Sequence, residues 1–154
     1  NPLCFADAIA PHVAAERVGS RLSVAEVLQA MQPALSVNAD ALLVEGAGGW
    51  QVPLNATESL ADLAVALRLP VLLVVGIKLG CLNHAILTAQ AIQASGLPLA
   101  GWIGSVVQPD MPALVENIDT LKQRLPAPCW GVLPHTLKPS PAVLAGDLRL
   151  PPDW

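Results

Sequence analysis

Four short apolar runs constrain the fold of this chain more than any other feature of its sequence. The runs are rich in Val, Ile and Leu and lack the polar–apolar alternation of half-exposed strands: residues 41–44, 71–75, 99–107 and 129–133. Strands of a parallel sheet have this composition, because helices cover both of their faces. We therefore predict four buried parallel strands.

Segments with helical periodicity separate these runs. Apolar side chains recur at spacings of three and four over residues 23–36, 60–69, 82–95 and 112–125. The alternation of helix and strand indicates an α/β protein of three layers, with a parallel sheet between helices. The chain has 154 residues, of which 53% are hydrophobic, and this suffices for one core. We predict a single α/β domain over residues 1–154.

Residues with local capping chemistry mark several helix ends. Ser23 and Glu26 have the spacing of a capping box, and Gly96 stands where a left-handed residue ends a helix. Asp110 precedes Pro112, which lacks a backbone donor. We predict that Asp110 caps the helix of residues 112–125.

Charge and cysteine content exclude several classes of function. The net charge is -4 and the eight Lys and Arg residues are scattered, so we expect no nucleic-acid partner. No apolar run approaches the roughly 20 residues of a membrane helix, and no signal-peptide pattern opens the chain. The three Cys residues are widely spaced, which argues against a disulfide framework or zinc site. We predict a cytoplasmic protein without membrane contact.

A Glu-Gly-Ala-Gly-Gly segment, residues 45–49, directly follows the first apolar run. Glu45 would lie at the carboxyl end of a strand, where doubly wound sheets bind their ligands. The glycines would let backbone approach a phosphate closely, and a carboxylate beside a phosphate makes sense as a magnesium ligand. The alternative is a Gly-rich turn with a solvated glutamate. The residues alone leave both interpretations open.

A second glycine-containing loop follows the second apolar run. Lys78 is the only Lys, Arg, Asp or Glu between Leu69 and Pro109, and Asn83 lies shortly after it. Lys78 would bind an anion or extend into solvent, and Asn83 would bind a ligand or cap the next helix. Two such loops at the carboxyl ends of neighbouring strands would form one wall of a crevice.

Several segments together resemble the dethiobiotin synthetase family. They are "NPLCFADAIAPHVAA", "LLVEGAGGWQVPL", "LPVLLVVGIKLGCLNHAILTAQAI", "GLPLAGWI" and "LPAPCWGVLP". The likeness runs in order along nearly the whole chain, and only the last dozen residues lack a clear counterpart. The pair "VEGAGGW" and "KLGCLNHA" is its most specific part.

The resemblance implies a P-loop NTPase-like (Rossmann-like) fold, a homodimer, and an ATP- and Mg²⁺-dependent ligase of biotin biosynthesis. The family carboxylates 7,8-diaminopelargonate with CO2 or bicarbonate to a carbamate. ATP then phosphorylates the carbamate, and the second amine closes the ureido ring with loss of phosphate. The expected partners are therefore diaminopelargonate, CO2 or bicarbonate, ATP and a second copy of the chain.

The resemblance also implies roles for individual residues. Glu45 corresponds to the catalytic, magnesium-binding glutamate of the family. The residues expected to contact the nucleotide are Glu45, Gly46, Ala47 and Gly48 and, at the adenine, Ser105, Pro134, His135 and Thr136. Those expected to contact the substrate are Pro11 with its neighbour His12, Gly48, Gly49, Leu82 and Asn83. The family often has Asn where this chain has Ser105, which implies looser base selectivity.

The Walker A motif is absent from these 154 residues, since no Gly is followed by Lys. In the family this motif, a substrate-side lysine and a magnesium-binding aspartate precede the segment that matches Asn1. The chain therefore resembles the C-terminal two-thirds of the enzyme, with a fold incomplete at the N-terminus. We expect residues 1–154 alone to be inactive and poorly stable.

Two alternatives to the ligase stay open at this stage. One is a non-catalytic regulatory or dimerisation module of the same fold, which sequence upstream of Asn1 without a Walker A motif would favour. The other is a cobalamin-pathway amidoligase, whose P-loop-type domains share a Glu-Gly-Ala-Gly loop. The "KLGCLNHA" segment argues against the amidoligase.

Overall fold

The computed structural model describes residues 1–151 and divides the chain into two compact units, residues 1–69 and the unit beginning at Pro70. The first unit contains α1 (Pro11–Arg17), α2 (Val24–Leu35) and α3 (Leu60–Leu67). The second contains β1 (Val71–Ile77), α4 (Cys81–Ala94), β2 (Leu99–Val106), α5 (Leu114–Arg124), β3 (Cys129–Leu133), α6 (Pro141–Leu144) and a 3-10 turn (Ala145–Asp147). One domain over residues 1–154 stays a prediction, and residues 152–154 lie outside the described range.

The second unit confirms the predicted α/β class. Its strands form a parallel sheet in the order β1-β2-β3. Val75, Ile77 and Trp102 of this sheet share one apolar core with residues of α4, of α5 and of its C-cap, namely Cys81, Ala85, Ala89, Leu121 and Leu125. Val74 points to the opposite side of β1 and is 62% exposed. The prediction that helices cover both faces of every strand is therefore wrong for the edge strand β1.

The strand predicted at residues 41–44 is wrong. These residues form no strand and are exposed, with Leu43 81% accessible to solvent. A strand exists only where a neighbouring strand satisfies its backbone N–H and C=O groups. Residues 41–44 make no backbone hydrogen bond to other described residues, and the three strands of the described sheet all belong to the second unit.

Two of the three predicted helix caps are confirmed. The Glu26 N–H donates to Ser23 Oγ (3.2 Å), and the Ser23 hydroxyl donates to Glu26 Oε2 (2.8 Å). The Ser23 N-cap is therefore confirmed, but the second bond of a capping box, from the Ser23 N–H to the Glu26 carboxylate, is absent from residues 1–151. Gly96 adopts a φ of +80° just after α4. The Asp110 cap is wrong, because α5 begins at Leu114 with Ala113 at its N-cap. Asp110 is thus too far from the first-turn amides to cap them.

The first unit is built around a core that three helices share. The side chains of Ala15, Leu22, Met31, Leu54 and Leu63 are buried together. A capping box starts α3, in which the Ser59 hydroxyl and the Ser59 N–H each donate to Asp62 Oδ2 at 2.7 Å. These donors anchor the beginning of α3 where the preceding loop ends.

Glycine is required at one position of β2. A Cβ atom at Gly101 would overlap the indole ring of Trp130, and this indole is buried. The ring is rigid and held in β3, whose Trp130 carbonyl accepts a 2.7 Å hydrogen bond from the Arg149 N–H. Trp130 therefore packs directly on the bare backbone of its neighbouring strand.

We predict that Gly101→Ala destabilises the protein by about 1–3 kcal/mol, because the added methyl group has no space beside the indole. Gly146→Ala is the matched control, since nothing lies within 4 Å of a Cβ at Gly146. Urea unfolding of both variants measures the difference. Equal midpoints for the two variants would contradict this packing.

The capping box of α3 leads to a prediction about how the stability of the protein depends on pH in acid. The hydrogen bond from the Ser59 hydroxyl, and then that from the Ser59 N–H, hold the pKa of Asp62 below its ordinary value of 3.8. A lowered pKa stabilises the folded state fully above pH 3.8, and this contribution is lost as the pH falls through the folded-state pKa. Between pH 5 and pH 3, Asp62→Asn should therefore lose less stability than the unmodified protein. Parallel pH dependences in denaturant titrations would contradict the assignment.

Candidate functional site

A pocket lies at the carboxyl ends of β2 and β3. It has a volume of about 300 Å3, and its walls are Ser105, Val106, Val107, Leu133, Pro134, His135, Thr136, Pro139 and Leu144. The parallel register sets Ser105 beside Leu133, and Pro134, His135 and Thr136 continue directly from β3. The structure thus brings together all four residues that were predicted, from the resemblance, to contact adenine.

The chemistry of this pocket suits a planar heterocycle. Apolar groups of Val107, Leu133 and Pro134 form part of the wall, while Ser105 and His135 add a hydroxyl and an imidazole. Small-molecule sites commonly combine apolar walls with a few placed polar groups. Thr136 also shapes the loop, because its hydroxyl oxygen accepts a 3.2 Å hydrogen bond from the Lys138 N–H.

The loop after β1 positions Leu82 and Asn83 in the first turn of α4. Gly80 precedes this helix with a φ of +91°, and the helix begins at Cys81. Asn83 is the third residue of α4, and its side chain is exposed to solvent. Asn83 therefore does not cap this helix, because Gly80 occupies the N-cap position. The Lys78 side chain is exposed, and within residues 1–151 it forms no ion pair.

In the first unit, the Gly-rich segment is an exposed loop. Residues 45–49 are all solvent-accessible, and the Val52 N–H donates to the Gly49 carbonyl at 3.2 Å. Gly48 has a φ of +100°, a conformation that favours glycine. Glu45 follows irregular chain instead of a strand. The prediction that Glu45 lies at the end of a strand is therefore wrong, because residues 41–44 have no neighbouring strand to pair with in the described sheet.

The Glu45 carboxylate is free to bind a cation. Among residues 1–151 it makes no hydrogen bond or ion pair within the chain, and no three His, Cys, Asp or Glu side chains in that range cluster to hold a metal. Magnesium commonly takes one or two protein carboxylates, with waters and substrate phosphates completing its octahedral shell. One carboxylate beside a bare backbone loop fits that pattern.

Glu45 and Lys78 belong to different units. The crevice that was predicted from their two loops stays a prediction.

A second pocket, of about 620 Å3, lies in the first unit. Its walls are His12, Glu16, Arg21, Leu22, Ser23, Glu26, Leu54, Asn55, Ala56 and Thr57. Pro11 is the first residue of α1, and the neighbouring His12 has its Nδ1 atom shielded from solvent without a hydrogen-bond partner in the described range. Sequence analysis missed Arg21 and Asn55, because isolated polar residues carry no spacing signal.

Comparison with known proteins identifies the family. A profile of the AAA domain family matches residues 1–142. The chain is 54% identical over 152 residues to the ATP-dependent dethiobiotin synthetase BioD of Pseudomonas aeruginosa strain UCBPP-PA14, covering 99% of this chain and 67% of that protein. The protein of the same name from Cellvibrio japonicus is 51% identical, with 99% and 66% covered. The chain belongs to the dethiobiotin synthetase family.

The family assignment confirms the resemblance and the P-loop NTPase-like fold class. The chain spans about two thirds of the length of these dethiobiotin synthetases, 67% and 66% respectively. A third dethiobiotin synthetase, from Xanthomonas oryzae pv. oryzae, is 48% identical over 98% of this chain and 67% of its own length. The roles of single residues stay predictions. In residues 1–151, no helix has the length and apolar character needed to cross a bilayer.

We predict that Gly48→Ala strains the Gly-rich loop. A Cβ at Gly48 would lie 2.9 Å from Val52 Cγ2, and the φ of +100° disfavours any side chain. The expected loss of stability is about 1–3 kcal/mol. Gly49→Ala is the control, because nothing lies within 4 Å of its Cβ position. Urea unfolding that shows the same loss for both variants would contradict this loop geometry.

Proposed function

We propose that this chain forms part of an ATP- and Mg²⁺-dependent dethiobiotin synthetase, which makes dethiobiotin from 7,8-diaminopelargonate, CO2 and ATP. One amine of the substrate attacks CO2 and loses a proton, giving a carbamate. A carbamate oxygen attacks the γ-phosphorus and displaces ADP. The second amine then attacks the carbamoyl carbon, which expels phosphate and closes the ureido ring.

The observation that carries this proposal is the pocket of Ser105, Pro134, His135 and Thr136. Ser105 of β2 and three residues from the loop after β3, chosen as adenine contacts from the resemblance alone, line one cavity. Its position at the carboxyl edge of a parallel sheet is the usual place for a nucleotide in this fold class. The dethiobiotin synthetase name of the relatives, which are 51–54% identical, supports the same substrate and favours the ligase over the cobalamin-pathway alternative.

Glu45 is the proposed magnesium ligand. Phosphoryl transfer depends on positioning and on neutralising charge, which bound magnesium supplies. The free carboxylate of Glu45 would hold the ion, and the bare backbone of Gly46, Ala47 and Gly48 would leave room for phosphate oxygens beside it. The loop carries no other charged side chain between residues 46 and 50, so nothing on it competes for the cation.

The substrate site is proposed from three places in the chain. Leu82 and Asn83 lie at the N-terminal turn of the 14-residue helix α4, whose free amides and dipole favour the carboxylate of diaminopelargonate. Gly48 and Gly49 would border the amines and carbamate, and Pro11 would border the carbon chain. In the proposed homodimer, α4 of one subunit would serve the substrate of its partner. The proposed location of the enzyme is the cytoplasm.

Residues 1–154 alone are proposed to lack activity. Phosphate oxygens in P-loop enzymes depend on the amides and lysine of a Walker A motif, and no such motif occurs in these 154 residues. Removing donors of this kind typically costs several kcal/mol of transition-state stabilisation per group. Activity therefore requires a polypeptide or partner that supplies the motif.

The test uses the natural protein that contains residues 1–154, assayed for dethiobiotin by mass spectrometry and for released phosphate. We expect Glu45→Gln to lower kcat by about 100-fold or more, because the neutral amide binds magnesium weakly. Glu116→Gln removes the same charge from an exposed position on α5 and should leave kcat within about twofold. Residues 1–154 alone serve as the inactive control. ATP-dependent ring closure that is equal in both variants would refute the role of Glu45, and no ring closure by the unmodified protein would refute the function.

A further inference from the structure

The loop of residues 52–60 is folded back on itself between the Gly-rich segment and α3. Its Leu54 N–H donates to the Glu58 carbonyl at 2.8 Å, and its Leu60 N–H donates to the Val52 carbonyl at 2.9 Å. Pro53 and Ser59 form an isolated antiparallel bridge between these two bonds. The two ends of the loop, at Val52 and Leu60, are therefore held close together.

Asn55 organises the tip of this loop. Its Oδ1 atom accepts from the N–H groups of Thr57 (2.9 Å) and Glu58 (3.0 Å). Its Nδ2 group donates to the Leu22 carbonyl at 2.8 Å and also to Glu58 Oε2. A single half-buried amide thus closes the turn and ties it to the chain just before α2.

Glu58 provides the second tie to α2. Its Oε2 atom accepts from the N–H of Val24 at 3.3 Å, and Val24 is the first residue of α2. A carboxylate is favourable there, because the first amides of a helix lack partners and carry partial positive charge. The contact spans 34 residues of sequence, so α2 acts as a fixed support for the loop.

The anchored loop contacts the Gly-rich segment through both of its ends. Val52 Cγ2 lies 2.9 Å from the position of a Cβ at Gly48, and Leu60 Cδ1 lies 3.6 Å from that of Gly46. The Val52 N–H also donates to the Gly49 carbonyl at 3.2 Å. Val52 and Leu60 thus lie directly beside this exposed segment.

We propose that Asn55 and Glu58 are positioning residues, which hold the 46–49 backbone and thereby the Glu45 carboxylate in place through Val52 and Leu60. The part of this proposal that concerns magnesium binding by Glu45 rests on the proposed function. The part that concerns the position of the 46–49 backbone does not.

Asn55→Asp should release the loop, because the Nδ2 donor is lost and the new carboxylate repels Glu58. Adding Glu58→Gln should restore part of this contact, because the neutral amide that replaces Glu58 removes the charge repulsion and can donate to the carboxylate at position 55. The Leu22 carbonyl and the Val24 N–H, whose partners were Asn55 Nδ2 and Glu58 Oε2, stay unpaired.

The first test is hydrogen exchange of the natural protein, read over backbone amides 46–52. We expect exchange at least about fivefold faster in Asn55→Asp, and a measurable part of that change reversed in the Asn55→Asp/Glu58→Gln double variant. Asn38→Asp is the matched control, because Asn38 is exposed in the same unit and gains the same charge. Unchanged exchange in Asn55→Asp, an equal increase in Asn38→Asp, or no reversal in the double variant would overturn the proposal. If Asn55→Asp does not fold, Glu58→Ala alone should raise exchange at 46–52, because it removes the acceptor of Asn55 Nδ2 and of the Val24 N–H, and no rise would overturn the proposal.

The second test is the magnesium dependence of ring closure in the same variants. The Mg²⁺ concentration for half-maximal turnover should rise about threefold or more in Asn55→Asp and fall back in the double variant, while KM for diaminopelargonate changes less than twofold. A merely structural role would leave the magnesium dependence unchanged, and that result would overturn the link to Glu45. Absence of ring closure in the unmodified protein would instead refute the proposed function, and the exchange data would still decide the structural part.

Discussion

The parallel alignment of β1, β2 and β3 is the constraint on which the pocket around Ser105 and His135 depends. Parallel strands end at the same edge of a sheet, so segments far apart in sequence meet there without any direct attraction between them. Ser105 and the Pro134–His135–Thr136 segment are brought together in this way. The apolar contacts of α4 and α5 with the sheet then hold the strands in register.

Trp130 shows how closely this sheet is packed. Its indole occupies the space that a side chain at position 101 would need, and its buried ring joins two neighbouring strands. The same strand continues directly into Pro134 and His135. Packing of this kind keeps the pocket wall rigid, because a close-packed interior has few alternative arrangements.

In the first unit, side-chain hydrogen bonds hold the loop before α3 in place. The 45–60 region contains no named strand or helix before α3, and its backbone pairing is limited to the Pro53–Ser59 bridge and a few turn hydrogen bonds. Asn55, Glu58 and the Ser59–Asp62 capping box supply the missing donors and acceptors instead. A loop that carries the proposed magnesium ligand Glu45 would benefit from supports of this kind, since positioning dominates phosphoryl-transfer chemistry.

By itself, the sequence determined the α/β class, three of the strands, the four main helices, the cap at Ser23 and the left-handed Gly96. These features depend on neighbours within a few residues, and local periodicity and capping chemistry report such neighbours directly. Together with the family resemblance, it also selected Ser105, Pro134, His135 and Thr136, which line one pocket in the structure.

Only the tertiary structure decided the remaining features. Residues 41–44 have the composition of a strand but no pairing partner within the described sheet, and composition cannot supply one. The start of α5 after a left-handed Ala113, the indole of Trp130 over Gly101, and the link from Glu58 to Val24 all join groups whose proximity depends on the folded chain. Sequence patterns report periodicity along a chain, whereas these contacts depend on which distant segments meet in space.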